Sequence, residues 1–173
     1  MDIVSFIETL AGKWFSQRTT HYLASQTSKA GQSNLLMEVL PATDASLVQL
    51  CEAQGQDPSH IVCGLKVDQD SRLDGDTRNT QRTTVMVMLQ PTAEGKGVLL
   101  QASSKETVAL GEYSLDSDVL TLTTQTPDGT VQERLWFANP NLRMRTSVLK
   151  VGDIEHMASF CSEIRLGGAP VQS

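Results

Sequence analysis

Short stretches in which apolar and polar residues alternate make up most of the chain, and this alternation is typical of β-strands with one buried face. The pattern predicts strands over 12–24, 33–41, 60–69, 82–91, 97–103, 107–116, 119–126, 130–138, 142–150 and 156–166. Turn sequences rich in Gly, Pro, Asn or Asp separate these strands, and the polar stretch 73–81 predicts a loop. The spacing is that of consecutive β-hairpins.

Two short segments follow a helical period instead. Ile3, Phe6, Ile7 and Leu10 are spaced so that they form one apolar stripe, which predicts a helix over 2–10 with Asp2 as its N-cap. A second helix is predicted over 44–54, capped by Asp44 or Ser46.

The choice between a sandwich and a barrel depends on the polar residues of the strands. The segments 17–21 and 132–134 carry polar side chains on both faces, which a dry sandwich core does not tolerate. A barrel that holds a ligand has a partly wet interior and does tolerate them. We therefore predict an all-β fold, an antiparallel up-and-down barrel of lipocalin type with about ten strands and an N-terminal helix. It forms a single domain over 1–167, followed by a flexible tail at 168–173.

Composition excludes several classes of function. The formal net charge is -6 over 173 residues, which argues against nucleic acid and anionic membrane surfaces as partners. No apolar run is long enough for a spanning helix, and the acidic N-terminus is not a signal peptide. We expect a cytoplasmic protein.

No motif assigns a reaction. Cys51, Cys63 and Cys161 form no CxxC pair, so neither a zinc site nor a disulfide framework is expected, and each lies in an apolar neighbourhood typical of a small buried side chain. The histidines are too scattered for a local metal motif, and no metal is expected.

Two arginines lie close together on one predicted strand. Arg143, Arg145 and Ser147 are spaced by two, so they share one face, and a three-residue NPN turn brings Glu133 opposite Ser147. Inside a barrel, such arginines need an anion, and a guanidinium binds a carboxylate through two hydrogen bonds. The alternative is a solvated face on which the arginines pair with Glu133.

Three blocks of the sequence resemble a known family. AGKWFSQRTTHYL at 11–23, RLWFANPNLRMRTSVL at 134–149 and MASFCSEIR at 157–165 are similar to the S-type phycobiliprotein lyases, the CpcS/CpeS group and its CpcU relative. This resemblance implies a lipocalin-like barrel that binds a linear tetrapyrrole such as phycocyanobilin. It also implies delivery of this bilin to a cysteine of a phycobiliprotein α or β subunit, as a thioether, so that the nucleophile belongs to the partner.

The resemblance also implies roles for individual residues. Arg143 and Arg145 are expected to bind the two propionates, with Ser147 as a neutral donor and Glu133 as the acid that protonates or hydrogen-bonds the pyrrole nitrogens. Arg18 and His21 are expected on the other side of the pocket, although His21 could equally be a structural histidine. The bilin is the transferred substrate, and no cofactor is expected.

One stretch departs from the family pattern. Members often read GG-x-R-V-x-W-x-G-x-x-x-W where this chain has CGLKVDQDSRLDG at 63–75, so Lys66 replaces arginine and Gln69 and Gly75 stand at the tryptophan positions. The loss of two indoles leaves several alternatives open: a self-sufficient lyase, a lyase that works with a CpcS-like partner subunit or as a homodimer, a non-catalytic interaction subunit, or a carrier of a tetrapyrrole or fatty acid.

Overall fold

Ten antiparallel strands close into one up-and-down barrel in the computed structural model, which describes residues 1–104 and 106–168. The side chains of residues 106 and 107 are outside this description. Each strand pairs with its neighbours in sequence, and β1 closes the barrel against β10. The strands are β1 (Gly12–Tyr22), β2 (Thr27–Leu40), β3 (Ile61–Leu73), β4 (Thr80–Leu89), β5 (Lys96–Ser103), β6 (Glu106–Asp116), β7 (Val119–Thr126), β8 (Gly129–Asn139), β9 (Leu142–Val151) and β10 (Ile154–Leu166). The predicted fold class is confirmed.

A short helix closes one end of the barrel. Helix α1 (Ile3–Thr9) begins at Asp2, whose carboxylate accepts the amide of Ser5. Its apolar stripe packs into the core against inward residues of the strands, among them Leu65 and Met88. Burial of this stripe is what holds so short a helix in place, because an isolated helix of this length is not stable in water.

A second helix packs on the outside of the barrel. Helix α2 (Ala45–Ala53) is capped by Asp44 and buries Leu47 and Cys51 against the outer faces of β3, β4 and β5. Leu47 lies directly over Gly64, where a Cβ would come within 2.5 Å of its methyl carbons. Gly64, the second residue of the family-like stretch 63–75, is therefore part of a packed wall. A 3-10 helix (Pro58–His60) leads into β3.

The end opposite α1 is the mouth of the barrel. It carries the connections at 23–26, 74–79, 127–128 and 152–153, and in the described residues no helix covers it. The loop expected over 73–81 is confirmed in shortened form.

None of the helices in the described part of the chain has the length and apolar character needed to cross a membrane.

The strand predictions are close to the structure, with one clear difference. Strand β2 begins at Thr27, six residues before the predicted start, because 27–32 is a polar, mostly exposed segment without the alternation that predicts a strand. The predicted tail falls mainly on 169–173, which lie outside the described residues.

Candidate functional site

The barrel encloses a cavity of about 270 Å³. Ile7 and Leu10 of the helical region form its floor, and the wall is apolar near the floor. Farther toward the mouth the wall becomes polar, with the inward side chains Arg18, Gln69, Arg82, Thr84, Gln101, Glu133, Arg145, Ser147 and Ser159. This volume is at the low end for sites that take small organic ligands. A long ligand would therefore extend past the mouth.

One cross-strand row brings two arginines to the same side of the cavity. Arg18 on β1 pairs in register with Cys161 on β10, and Cys161 pairs with Arg145 on β9. The Nε of Arg18 donates to the sulfur of Cys161 at 3.4 Å, and the Nη2 of Arg145 donates to it at 3.7 Å. The two guanidiniums thus flank one thiol on the cavity wall.

The next row toward the floor contains a buried ion pair. Arg143 on β9 is the cross-strand partner of Glu163 on β10, which in turn pairs with Ser16 on β1. The Nε of Arg143 donates to Oε1 of Glu163 at 3.0 Å, and both side chains are 0% exposed. The same oxygen lies 3.5 Å from the Nε of Arg145. One carboxylate oxygen of Glu163 therefore forms ion pairs with two arginines.

The electrostatics of the pair follow from this sharing. Burial lowers the pKa of Arg143 to about 10, although Glu163 partly opposes the shift, and the charge of Arg145 adds to it. Burial also acts to lower the pKa of Arg145, but Glu163 and Glu133 outweigh it and raise the pKa above its ordinary value. Burial acts to raise the pKa of Glu163, whereas Arg145 and Arg143 hold it below its ordinary value. All three groups are charged at neutral pH.

An indole lies behind the ion pair. The guanidinium carbon of Arg143 is 4.1 Å from the ring centroid of Trp14, and that of Arg165 is 4.2 Å away from it. Arg165 also donates to the carbonyl oxygens of Thr9, Ala11 and Pro140, so it ties the end of α1 to the β8–β9 turn. Trp14 is fully buried, so it packs in the core and does not reach the cavity mouth.

The predicted arginine face points inward. Glu133 pairs with Ser147, and Leu135 with Arg145, as expected for the predicted turn. The turn is the two-residue Pro140–Asn141, not the predicted three-residue turn. A bulge between Phe137 and Asn139 compensates for the difference, so the pairing of Glu133 with Ser147 is the predicted one. The alternative of a solvated arginine face is wrong.

The structure separates Arg143 from the other predicted ligands. Its side chain has no exposed surface, whereas that of Arg145 is 20% exposed. Arg18, Glu133, Arg143, Arg145 and Ser147 all border the cavity, but Arg143 does so without any solvent-exposed surface. The role of Arg143 as a direct bilin ligand stays a prediction that its burial does not favour.

The position expected for His21 requires correction. Inward positions of β1 are Trp14, Ser16, Arg18 and Thr20, so the side chain of His21 lies on the outer face and is exposed. The expectation that it lines the pocket with Arg18 does not hold, because residues three apart on a regular strand face opposite sides.

The sequence reasoning missed Glu163. Its place could have been found from β10, where Cys161, Glu163 and Arg165 share a face and all are buried. A carboxylate on the same face as a buried cysteine is a candidate partner for any inward arginine. Arg82, whose Nε donates to Ser103 at 2.8 Å, was also missed as a cavity residue.

The two positions at which the family often has tryptophan have different surroundings. Gln69 faces the cavity, and its amide nitrogen donates to Ser71 at 2.6 Å and to Ser33 at 3.3 Å. Gly75 lies in the loop at the mouth with φ +90, and a Cβ there would meet nothing within 4 Å. A larger side chain at position 69 would therefore occupy the cavity wall.

Comparison with known proteins gives a consistent result. The sequence profile of the family described as CpeS-like protein matches residues 2–166. The chain is 42% identical to a "Chromophore lyase CpcS/CpeS" of Thermosynechococcus vestitus over 96% of this chain and 94% of that protein. It is 35% identical to the "Phycocyanobilin lyase subunit CpcS" of Picosynechococcus sp., over 98% of this chain and 89% of that protein.

A solved structure supports the same assignment. The S-type phycobiliprotein lyase CPES from Guillardia theta superimposes with a TM-score of 0.84 and 28% identity, over 97% of this chain and 94% of that one. The match spans both helices and the whole barrel. The chain therefore belongs to the CpeS-like family, together with these chromophore lyases, which confirms the resemblance seen in its sequence.

Proposed function

We propose that the chain binds a linear tetrapyrrole bilin, such as phycocyanobilin, in its barrel and promotes thioether attachment of this bilin to a cysteine of a phycobiliprotein subunit. As a family member it is a chromophore lyase, and thus an enzyme. The observation that carries the proposal is the convergence of Arg18, Arg145 and Glu133 on the polar wall of one cavity. Its relatives include a phycocyanobilin lyase subunit.

The cavity charges favour an anionic ligand. Arg18, Arg82, Arg143 and Arg145 carry four positive charges, whereas Glu133 and Glu163 carry two negative charges. Arg18 has no carboxylate within 4.0 Å among the described residues, and its one hydrogen bond there goes to the Cys161 thiol at 3.4 Å. A bilin carries two propionates, and guanidiniums bind carboxylates in a fixed planar geometry. We assign Arg18 and Arg145 as propionate ligands, with Ser147 as a neutral donor.

Glu133 supplies an acid on the same wall. No hydrogen bond to the described residues engages its carboxylate, so it is available to a ligand. A carboxylic acid that protonates or hydrogen-bonds a pyrrole nitrogen withdraws electron density from the conjugated system. The ethylidene carbon on ring A then becomes a better electrophile toward a thiol.

The thiol comes from the acceptor protein. Cys51, Cys63 and Cys161 are all buried and free. Burial raises the pKa of Cys63 to about 11 and raises that of Cys51, so neither forms the reactive thiolate readily. The lyase then contributes orientation: it holds the bilin so that one face of the double bond meets the incoming thiol. No further cofactor is needed, because the bilin itself is the substrate.

The small cavity supports a shared or incomplete site. A four-ring bilin is longer than a cavity of about 270 Å³ allows, so part of it extends past the mouth toward the acceptor. Gln69 offers no aromatic surface at a cavity position where the family often has tryptophan. We therefore propose that the chain acts with a CpcS-like partner subunit or as a homodimer.

We place its action in the cyanobacterial cytosol or plastid stroma, where three free thiols persist.

The test combines the purified chain with phycocyanobilin and an apo-phycobiliprotein, with and without a CpcS-like partner. Covalent adduct is measured by zinc-enhanced fluorescence on a denaturing gel. Adduct in either mixture above the level formed without lyase supports the proposal, and adduct only with the partner supports the subunit form. Absence of adduct in both, beside an active control lyase, would contradict it and favour a carrier.

A further inference from the structure

We infer that Glu163 is a positioning residue: backed by Arg143, it fixes the guanidinium of Arg145 in the orientation that meets a carboxylate of the ligand. This inference rests on the proposed function for the identity of that ligand. It assigns different roles to two arginines that are only two residues apart on β9.

The first observation is the sharing of one carboxylate oxygen. Oε1 of Glu163 lies 3.0 Å from the Nε of Arg143 and 3.5 Å from the Nε of Arg145. The Nε of Arg145 is buried, although its side chain is 20% exposed. The exposed part of Arg145 is thus elsewhere on the side chain, whereas its buried Nε lies at ion-pair distance from Glu163, without a hydrogen bond.

The second observation is that Arg143 cannot reach a ligand without moving. It is 0% exposed, its Nε donates to Glu163, and its Nη1 donates to the sulfur of Met37 at 3.3 Å. Its guanidinium also stacks on Trp14 at 4.1 Å. A group held on three sides is a rigid support rather than a contact residue.

Three polar atoms in this cluster lack partners. Arg143 Nη2, Arg145 Nε and Glu163 Oε2 are buried without a hydrogen bond in the described residues. Unmet polar atoms of buried charged groups cost free energy, so the cluster is a poor solution for stability alone. Buried polar atoms without partners are therefore candidates for a role in binding or chemistry.

Loss of Glu163 is expected to affect the affinity for bilin and the rate of bilin transfer differently. A freed Arg145 still attracts a carboxylate, because its charge remains. It no longer fixes where that carboxylate lies, and a misplacement of about 1 Å can reduce a rate by about a hundredfold. Loss of Glu163 should therefore impair bilin transfer far more than bilin binding.

The experiment is a double-mutant cycle on the full chain, with Glu163→Gln, Arg145→Met and the double variant. Phycocyanobilin Kd is measured by visible absorption, and transfer rate is measured by adduct formation on apo-phycobiliprotein, with a CpcS-like partner if needed. We expect Glu163→Gln to change Kd by no more than about threefold and to lower the transfer rate at least about tenfold. In the Arg145→Met background it should have no further effect.

Controls separate positioning from general damage to the barrel. Glu155→Gln removes another β10 carboxylate, which pairs with Lys150 on β9 at 3.9 Å, and should leave Kd and rate unchanged. If Glu163→Gln does not fold, Ser16→Ala removes the hydroxyl of the cross-strand neighbour of Glu163, which helps to lower the pKa of this carboxyl, and gives a milder perturbation of the same kind. An equal loss of rate in both Arg145 backgrounds would overturn the inference.

A second readout needs no bilin. In the unliganded chain the NMR signal of the Arg145 Nε–H group should lie away from the position of a solvated arginine, because the charge of Glu163 is 3.5 Å from Nε, and it should move toward that position in Glu163→Gln. An identical signal in the two proteins would overturn the inference even if bilin transfer is observed. Failure of the wild-type chain to bind bilin would contradict the proposed function alone, because this NMR measurement still decides the role of Glu163.

Discussion

Arg143 and Glu163 are cross-strand partners that form a fully buried ion pair, with 3.0 Å between Nε and Oε1. The pair lies between the floor of the barrel and the row that holds Arg18 and Arg145. Arg145, two residues along the same strand, borders the same cavity with 20% of its side chain exposed. Two arginines that appear equivalent in the sequence therefore face different environments.

This difference predicts that two similar substitutions affect different properties: one the stability of the fold, the other the affinity for bilin. Arg143→Met should lower the free energy of unfolding by about 3–5 kcal/mol, because it leaves the buried carboxylate of Glu163 without its hydrogen-bonded partner. Arg145→Met should instead weaken bilin binding by roughly tenfold to a hundredfold, the range for loss of a charged hydrogen bond. Urea unfolding and bilin titration measure the two effects.

An exposed arginine on the neighbouring strand provides the control for this pair. Arg134 faces outward on β8, so Arg134→Met should change neither stability nor bilin affinity beyond a few tenths of a kcal/mol. The assignment would be wrong if Arg143→Met weakened bilin binding more than Arg145→Met while the protein remained folded.

Most of the fold is predictable from the sequence, because alternation and turn chemistry are local signals. Strand β7 matches its prediction at both ends, and Asp2 and Asp44 cap the two helices as expected. Strand β2 is the exception, since its first part is polar and gains its strand form by pairing with β1. A sequence pattern does not report such pairing.

The candidate site is less predictable, because periodicity gives the face of a residue but not its depth. The spacing of Arg143 and Arg145 establishes one shared face, whereas their burial depends on how near each lies to the floor of the barrel. Glu163 is close to both only because β9 and β10 pair in a particular register. His21 is different: its distance of three from Arg18 already excludes a shared face on a regular strand.

Glu133→Gln should slow bilin transfer without weakening bilin binding. The glutamine keeps the size and hydrogen-bonding capacity of the side chain, but it cannot donate a proton, and loss of a general acid typically lowers a rate by about a hundredfold or more. Affinity should hold or rise, since Arg145 loses a competing negative charge. Bilin titration and adduct formation under saturating bilin give the two quantities.

A matched substitution checks that the effect belongs to the cavity. Glu112 is exposed on β6, so Glu112→Gln removes the same charge from the chain outside the barrel. It should leave transfer unchanged. Equal transfer rates for Glu133→Gln and the wild-type chain would show that another group supplies the proton.

Gln69→Trp should tighten bilin binding by about threefold to tenfold. The side chain of Gln69 lines the cavity, so an indole there would present an apolar face to the conjugated rings, a contact worth about 0.5–1.5 kcal/mol. The loss of the hydrogen bonds to Ser71 and Ser33 offsets part of this gain. Bilin titration measures the change, with Gln32→Trp on the exposed outer face as control. Unchanged affinity would indicate that the bilin does not reach β3.

Acid should destabilise the fold through Glu163. Arg145 and Arg143 hold the pKa of this carboxyl below the usual 4.5 despite its burial. The folded state therefore binds a proton less readily than the unfolded chain does, and the stability that Glu163 contributes is fully present above 4.5. It is lost as the pH falls through the pKa of the folded state. Cys161, Glu133 and Ser16 also face this cluster.

Urea unfolding at a series of pH values, from neutral to below 4.5, measures this contribution. Glu163→Gln should be less stable than the wild-type chain at neutral pH, because the two arginines lose their shared counter-ion. The difference between the two proteins should shrink in acid, with a slope of at most about 1.4 kcal/mol per pH unit for one proton. Glu133→Gln controls for the other cavity carboxyl. A difference that stays constant across the series would mean that Glu163 acts on stability through packing rather than through its charge.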